Sequence, residues 1–433
     1  MSESKKDMTR RDFVRTGSTA IAAMTAAGIA PSLGVAGAND KLRVAAIGCG
    51  GISNHHVKML GAIKDKENCE IVACFDVFGQ RAQEYSDHVK EVFGTPAKVH
   101  QSLGDLVNDK DVDTIIIATP EHQHYACATA CLDAGKKNLY LEKPMCKTVK
   151  ESAALVKRGE EEGAIIQIGV HTTADDVFLA ARDYVQSGKL GTILQAQIDY
   201  CRHYYTRGPW RSEHKTGDPK PDTLDWAAWL GDAPKVDWDA RRYFNWRCYW
   251  DYSGGIATDL FIHPFTSLIK TLGIKEPEYG TGYGDIFLWD DGRDIPDNYQ
   301  MALKYPNGPM VYVLGTMSNK FGLQNCIRGD QGTLVFEAPG FKVYSEANES
   351  EGKEGYRECV FTYERKIAGN DDAYYQGNHS NFFAGVRAGS TKSLHSPAYL
   401  GHYAVAAVNV ANEGYKQRKL MRWEASKGDI VPA

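Results

Sequence analysis

The stretch from Lys41 to Ser53, KLRVAAIGCGGIS, restricts what this chain can fold into more than any other. An apolar, β-forming run passes directly into Gly48, Gly50 and Gly51, with Ile52 after them. A strand that ends in glycines ahead of a helix turns tightly and presents helix N–H groups to an anion. Gly48 and Gly50 fit the first two glycines of a dinucleotide-binding turn, and Ser53 stands where the third glycine or alanine would be. Serine is small enough for the same close packing of helix on strand. One such turn is weak evidence alone, so the residues downstream decide.

They continue the pattern. Asn54 to Ile63 predicts a first helix, and Glu70 to Asp76 (EIVACFD) a second strand ending in an acid. A carboxylate there can accept from both hydroxyls of an adenosine ribose and repels a 2′-phosphate, which favours NAD over NADP. Asp76 lies further along than the usual ~20 residues, and the polar insertion Lys64 to Asn68 accounts for the excess. Strands are predicted again at Thr114–Thr119 and Asn138–Glu142, with helical stretches between. Strand–helix alternation of this kind builds a doubly wound parallel sheet. Its strand ends deliver Thr119-Pro120-Glu121-His122-Gln123-His124 and Glu142-Lys143-Pro144 to the edge where ligands bind.

GCGGIS, the acid at Asp76, TPEHQH and LEKPM together resemble the Gfo/Idh/MocA oxidoreductases, the family of glucose–fructose oxidoreductase and inositol dehydrogenase. The resemblance continues through Asp225-Trp226…Trp229-Leu230-Gly231, Ser253-Gly254-Gly255…Asp259…His263 and Asn381-Phe382-Phe383…Val386-Arg387. It implies α/β architecture: an N-terminal Rossmann domain, then an α/β domain with a large, mostly antiparallel open sheet used for oligomer contacts, as in a homodimer or homotetramer. It also implies that Lys143 sits beside the nicotinamide and contacts the reacting hydroxyl, that His263 is the acid/base, and that Asp259 orients substrate or imidazole. Gly48, Gly50, Gly51, Ile52, Asp76, Thr119, Pro120, His122, His124, Glu142 and Lys143 would hold the cofactor. No metal ligand set is expected, because no C-x-x-C occurs and alternate residues at a strand end, such as His122 and His124, point apart.

Domain boundaries are read at 39–163 for the nucleotide half and 164–433 for the substrate half. After Gly163, Thr192–His203, Tyr299–Tyr305, Met310–Thr316 and Gly332–Phe336 read as strands, with Pro306-Asn307-Gly308-Pro309 a turn between two of them. A helix over Ser396–Gln417 is expected to pack back on the first domain. Pro264 cannot donate to the Leu260 carbonyl, so the helix carrying His263 should kink or begin there. Six of the eight tryptophans lie between Tyr200 and Tyr252, interleaved with arginines including Arg202 and Arg207 and tyrosines including Tyr204 and Tyr205. Aromatic faces and fixed donors suit a carbohydrate. His171, Arg202, Tyr204 and Trp246 are the candidate substrate contacts, Trp226 and Trp229 read as packing, and His55-His56 as helix surface.

Residues 1–38 are of another kind. Arg10-Arg11, an Ala-rich apolar segment and Ala36-Gly37-Ala38 read as a twin-arginine export signal cleaved near Ala38. The expected location is periplasmic or otherwise exported, with the export machinery as partner. Nicotinamide coenzyme is scarce there, so the cofactor should enter before export and stay tightly bound. A closed redox cycle follows: two substrates exchanged, or one oxidised and re-reduced, the second route being that of an NAD-using glycoside hydrolase. A formal charge of −5 speaks against a nucleic-acid surface, and no apolar run is long enough for stable membrane insertion. All ten cysteines lie beyond residue 38, and Cys127 and Cys131, at helical spacing, read as buried thiols.

Overall fold

The computed structural model describes residues 41–204, 208–346, 358–366 and 371–433. The export segment 1–38, and Tyr205 and Arg207 of the aromatic belt, lie outside the described residues.

The glycine turn sits at the centre of a six-stranded sheet. Its strands are β1 (Leu42–Ile47), β2 (Cys69–Phe75), β3 (Lys98–Val99), β4 (Thr114–Ile117), β5 (Asn138–Leu141) and β6 (Ile165–Ile168). Helices α1 (Gly51–Glu67), α2 (Gly79–Phe93), α3 (Leu103–Val107), α4 (His124–Asp133) and α5 (Val149–Glu162) alternate with them. The order is β3-β2-β1-β4-β5-β6 and every pair is parallel. Helices on both faces bury the central strand β4 completely, so it reads as the run TIII rather than an alternation. Local signals set the helix ends. Thr148 and Glu151 cap each other at the start of α5, and Gly163 ends it in the left-handed region at φ 64°.

The sheet runs past the boundary expected at Gly163, because β6 pairs with β5 as its sixth strand. IIQI is too short to reveal its partner from pattern alone.

The remaining elements in chain order are α6 (Asp176–Gln186), β7 (Ile193–Cys201), α7 (Trp226–Leu230), α8 (Ala240–Phe244), α9 (Ile262–Leu272) and β8 (Tyr279–Asp285). Then come β9 (Asn298–Lys304), β10 (Met310–Thr316), β11 (Cys326–Gly329), β12 (Gly332–Glu337), β13 (Gly340–Ser345), β14 (Cys359–Glu364), α10 (Asp371–Ala388), α11 (Ala398–Gln417), β15 (Met421–Glu424) and β16 (Asp429–Pro432). They form a ten-stranded sheet ordered β14-β13-β12-β11-β7-β10-β9-β8-β15-β16, antiparallel except where β7 runs parallel to β10. Alternation in β10 sends Val311 and Val313 onto Phe265, Leu268 and the alanines of α11, and Met310 and Tyr312 outward.

Two late helices tie the sheets together. On α11, Val405 joins the core of the first sheet while Ala404, Ala407 and Val408 face the second. Phe382 and Phe383 of α10 pack into the first sheet's other core, and Arg387 bonds Glu67 at the end of α1. Among the described residues no helix is long and apolar enough to cross a membrane, and the ten cysteines are free thiols, eight of them buried.

Candidate active site

A cavity of about 1140 Å³ opens where the strand order reverses between β1 and β4. Its floor is the glycine turn. Gly48 has φ +88°, and a Cβ there would stand 2.8 Å from the Ala118 carbonyl and the Thr119 nitrogen, so only glycine fits between β1 and β4. Gly50 and Gly51 meet nothing within 4 Å, leaving the side facing the cavity open. Helix α1 starts without a side-chain cap or an acidic residue in its first turn, so its first N–H groups are left for a ligand. Ile52, Asp76, Thr119 and Pro120 also line the cavity, and Thr119 Oγ1 is buried without a partner. Asp76 accepts from Cys49 N at 2.7 Å and Phe78 N at 2.8 Å, which braces the turn against the end of β2. A carboxylate has about four acceptor positions, so two remain for a diol. These residues fit a dinucleotide: an uncapped helix start for the pyrophosphate and an acid at the ribose end.

At the other end of the cavity stand Trp246 and Arg247. Arg247 stacks on Trp246 at 4.1 Å and donates through Nε to Asp259 Oδ1 at 2.8 Å. Lys143 Nζ donates to the same oxygen and to the Asp259 carbonyl, both at 2.8 Å. Trp210 Nε1 donates to Oδ2 at 2.8 Å. Burial pushes the Asp259 carboxyl up, but Arg247 and Lys143 outweigh it and hold the group far below the usual carboxylate range. Asp259 therefore stays ionised and clamps Lys143 across 116 residues of sequence.

The chain reaches this geometry through a wide π-type turn, Ala257–Phe261, that runs into α9. Pro264 lies in the first turn of α9, where its missing N–H is least costly. The helix expected to kink or begin at the proline does begin there, at Ile262, and a π-turn leads into it. His263 follows one turn after Asp259. Burial, then Lys143, then His171 hold its imidazole well below the ordinary value, so the ring is neutral near pH 7. Its Nδ1 is buried with no partner. Lys143, Arg247 and Trp210 all donate to the Asp259 oxygens, so Asp259, expected to orient substrate or imidazole, orients the lysine.

His171 lies 5.0 Å from His263, ring centre to ring centre, and stacks on Tyr375 of α10 at 4.1 Å. Trp246 walls the cavity. Arg202 stacks on Tyr200 at 4.7 Å and its charge reaches His263. Tyr204 packs instead against the core of the large sheet. Trp226, Trp229 and Trp238 form a packed cluster with Tyr243.

Three expected cofactor contacts are used otherwise. His122 bonds the Trp229 carbonyl at 2.8 Å and packs on Trp229 and Tyr252. His124 is buried, with its ring nitrogens 2.7 Å from the Pro144 carbonyl and 2.9 Å from the Thr119 carbonyl. It joins the two loops without facing the cavity. Glu142 is buried behind Lys143, accepting from the Lys143 N–H at 3.2 Å and pairing with His56 at 3.0 Å. His56 is therefore not helix surface: it is fully buried between α1, β5 and α10. The helical pattern of α1 gave no sign of this, because the covering helix comes more than 300 residues later. Arg247 and Trp210 were also missed, although Arg247 lay in view within the cationic belt.

Comparison with known proteins gives the same architecture. Residues 42–170 match an oxidoreductase family with an NAD-binding Rossmann fold, residues 177–276 its C-terminal alpha/beta domain, and residues 227–335 the GFO/IDH/MocA C-terminal domain. The scyllo-inositol 2-dehydrogenase (NADP(+)) of Bacillus subtilis is 30% identical over 132 residues, 30% of this chain and 36% of that enzyme. The chain thus spans about a third of the length of that relative. Two solved structures share the fold across nearly all of both chains. One is a levoglucosan dehydrogenase with NADH and levoglucosan: TM-score 0.63, 17% identity, 90% of this chain and 99% of that one. The other is the Lactobacillus casei myo-inositol dehydrogenase with NAD(H) and myo-inositol: TM-score 0.62, 17% identity, 91% and 97%.

Proposed function

Because the chain belongs to the Gfo/Idh/MocA oxidoreductase family, we propose that it exchanges a hydride between a nicotinamide dinucleotide and a hydroxyl or keto carbon of a sugar or sugar derivative. The observation that carries this reading is the meeting of Lys143, Asp259 and His263, joined through Asp259 to Arg247, which lines the cavity whose other walls suit a dinucleotide. When bound, the nicotinamide supplies the hydride acceptor or donor. The helix α1 start and Asp76 would hold the cofactor, and Asp76 supports NAD over NADP. Lys143, clamped by Asp259, steadies the substrate oxygen as negative charge develops. His263, kept neutral, accepts the hydroxyl proton in oxidation and returns it in reduction. Trp246, Arg247 and His171 give an aromatic and cationic rim for a carbohydrate ring.

The reading extends to the features of residues 1–38: export through the twin-arginine route, with cofactor loaded beforehand and held tightly. It also extends to a homodimer or homotetramer, for which the outward face of the large sheet, with Tyr283, Met310 and Tyr312 exposed, is the candidate contact.

The test is a panel of sugars, inositols and glycosides mixed with enzyme and NAD or NADP, followed by nicotinamide absorbance and product analysis. Reduction of the nicotinamide by wild type, and its loss in Lys143→Met with nucleotide affinity retained, is expected. Hydrolysis of a glycoside with no net ketone would replace net oxidation by the transient, re-reduced cycle. Binding of nucleotide with no turnover by either route would overturn the proposal.

A further inference from the structure

Behind Lys143, three buried side chains from distant parts of the sequence form a line. His56 on α1, Glu142 at the end of β5 and His379 on α10 are 0%, 3% and 0% exposed. His56 Nε2 lies 3.0 Å from Glu142 Oε1, and His56 Nδ1 lies 2.9 Å from His379 Nε2. Glu142 Oε2 accepts the Lys143 N–H at 3.2 Å. On the next strand Gly169 makes room: a Cβ there would stand 2.5 Å from Glu142 Oε1. Tyr140 from β5 stacks on His379 at 4.4 Å, and Tyr375 from α10 meets His56 and His55 edge-on. His55, Tyr140, Tyr375 and Lys143 are the other titratable groups packed around the line.

The proton positions follow from satisfying each atom. Burial pushes the Glu142 carboxyl up, but His56 and Lys143 outweigh it and keep it below the usual range. An ionised carboxylate only accepts, so His56 Nε2 must carry hydrogen. Burial, with the nearby His56, holds His379 far below the ordinary value, so it carries one hydrogen. Its Nδ1 is buried without a partner. His56 therefore bridges the two groups: it donates through Nε2 to the carboxylate and shares one hydrogen with His379 across the 2.9 Å contact of its Nδ1 with His379 Nε2.

We propose that His56 and His379 are positioning residues for the proposed redox chemistry: by fixing Glu142 they hold the backbone of Lys143, so that its Nζ reaches Asp259 and the reacting oxygen. The inference rests on the role assigned to Lys143. His124 grips the other side of the same loop through the Pro144 carbonyl. With both sides held, the lysine has one place to stand, and small displacements of such a group are costly to rate.

The test compares His56→Leu, which removes both bonds, with His56→Gln, whose amide can still donate to Glu142. His56→Leu should lower kcat about 10- to 100-fold with nucleotide affinity unchanged. It should also move the acid limb of the kcat–pH profile to higher pH, because Glu142 then protonates more easily. His56→Gln should recover most of the rate and return the acid limb. Equal impairment of both variants, or an unshifted acid limb, would overturn the proposal. Should His56→Leu fail to fold, nitrogen NMR of histidine-labelled wild type decides. Hydrogen on His56 Nε2 is expected, and a bare Nε2 overturns it. That spectrum needs no substrate, so it stands apart from any failure to find turnover.

Discussion

Replacing Asp259 with asparagine should cost both stability and rate, and the size of the stability loss can be worked from its contacts. All three side-chain partners are donors: Lys143 Nζ and Arg247 Nε on Oδ1, and Trp210 Nε1 on Oδ2, each at 2.8 Å. An asparagine oxygen can serve the two cations, but its NH2 then faces the indole N–H and leaves a buried donor unmade, about 1–3 kcal/mol. Removing the carboxylate charge also leaves two cations side by side, and breaking a buried pair costs roughly 3–5 kcal/mol. The two costs overlap. The Arg247 side chain is 33% exposed and Lys143 12%, so water screens part of the repulsion and the low end, about 3 kcal/mol, is expected. For a chain of this size that lowers the thermal midpoint by roughly 3–4 °C. The pH dependence has a definite sign. The folded-state carboxyl is depressed, so its contribution is present above the unfolded value near ~3.9 and is lost only as pH falls below that. Unfolding followed by circular dichroism should show a gap between wild type and Asp259→Asn that is flat from about pH 8 to 5 and narrows below about 4. A midpoint equal to wild type at pH 7, or a gap that closes already at pH 6, would refute the reasoning.

Further consequences can be checked on the same preparations. Gly48→Ala should displace the turn, because φ +88° and contacts at 2.8 Å admit no Cβ. Strain of about 1–3 kcal/mol should appear as nucleotide affinity weakened some 5- to 100-fold by calorimetry. Because His263 is held well below its ordinary value of 6.5, kcat/KM for oxidation should stay level as pH falls through 6.5. A loss centred there would place the base elsewhere. Gly282→Ala should destabilise the large sheet without touching nucleotide affinity, since its Cβ would collide with the Tyr299 hydroxyl and the Ala411 carbonyl. Overpacking of this kind costs about 1–3 kcal/mol, read as a lower denaturation midpoint.

The parts legible in the sequence were those specified by neighbouring residues. The strand–glycine–helix unit, the buried runs of β2, β4 and β5, and β10 with its preceding turn are all local patterns. Strands whose own residues carry no β pattern were missed. Strand β8, YGTGYGD, has glycine at three of its seven positions because α11 and β9 press against it: a Cβ on Gly280, Gly282 or Gly284 would meet atoms at 2.0 to 2.5 Å. Sequence pattern reads such a strand as loop. The site divides the same way. The structure brings together Lys143, Asp259 and His263, which motif order singled out, while the surroundings of Glu142, His56 and His124 were not legible. Each of those is decided by backbone carbonyls or side chains brought in by other elements. His122 and His124 stood beside the cofactor motif in sequence, but the turn Glu121–Gln123 directs both into packing.

The central claim is that these residues serve hydride transfer, and isotope transfer tests it most directly. Enzyme reloaded with nicotinamide dinucleotide deuterated at its reactive carbon would be incubated with the keto form of whichever sugar or inositol the panel identifies, and the product examined by mass spectrometry. The account predicts one deuterium on the carbinol carbon with wild type and none with Lys143→Met. Product that forms without deuterium, or deuterium transfer at wild-type rate in Lys143→Met, would contradict it.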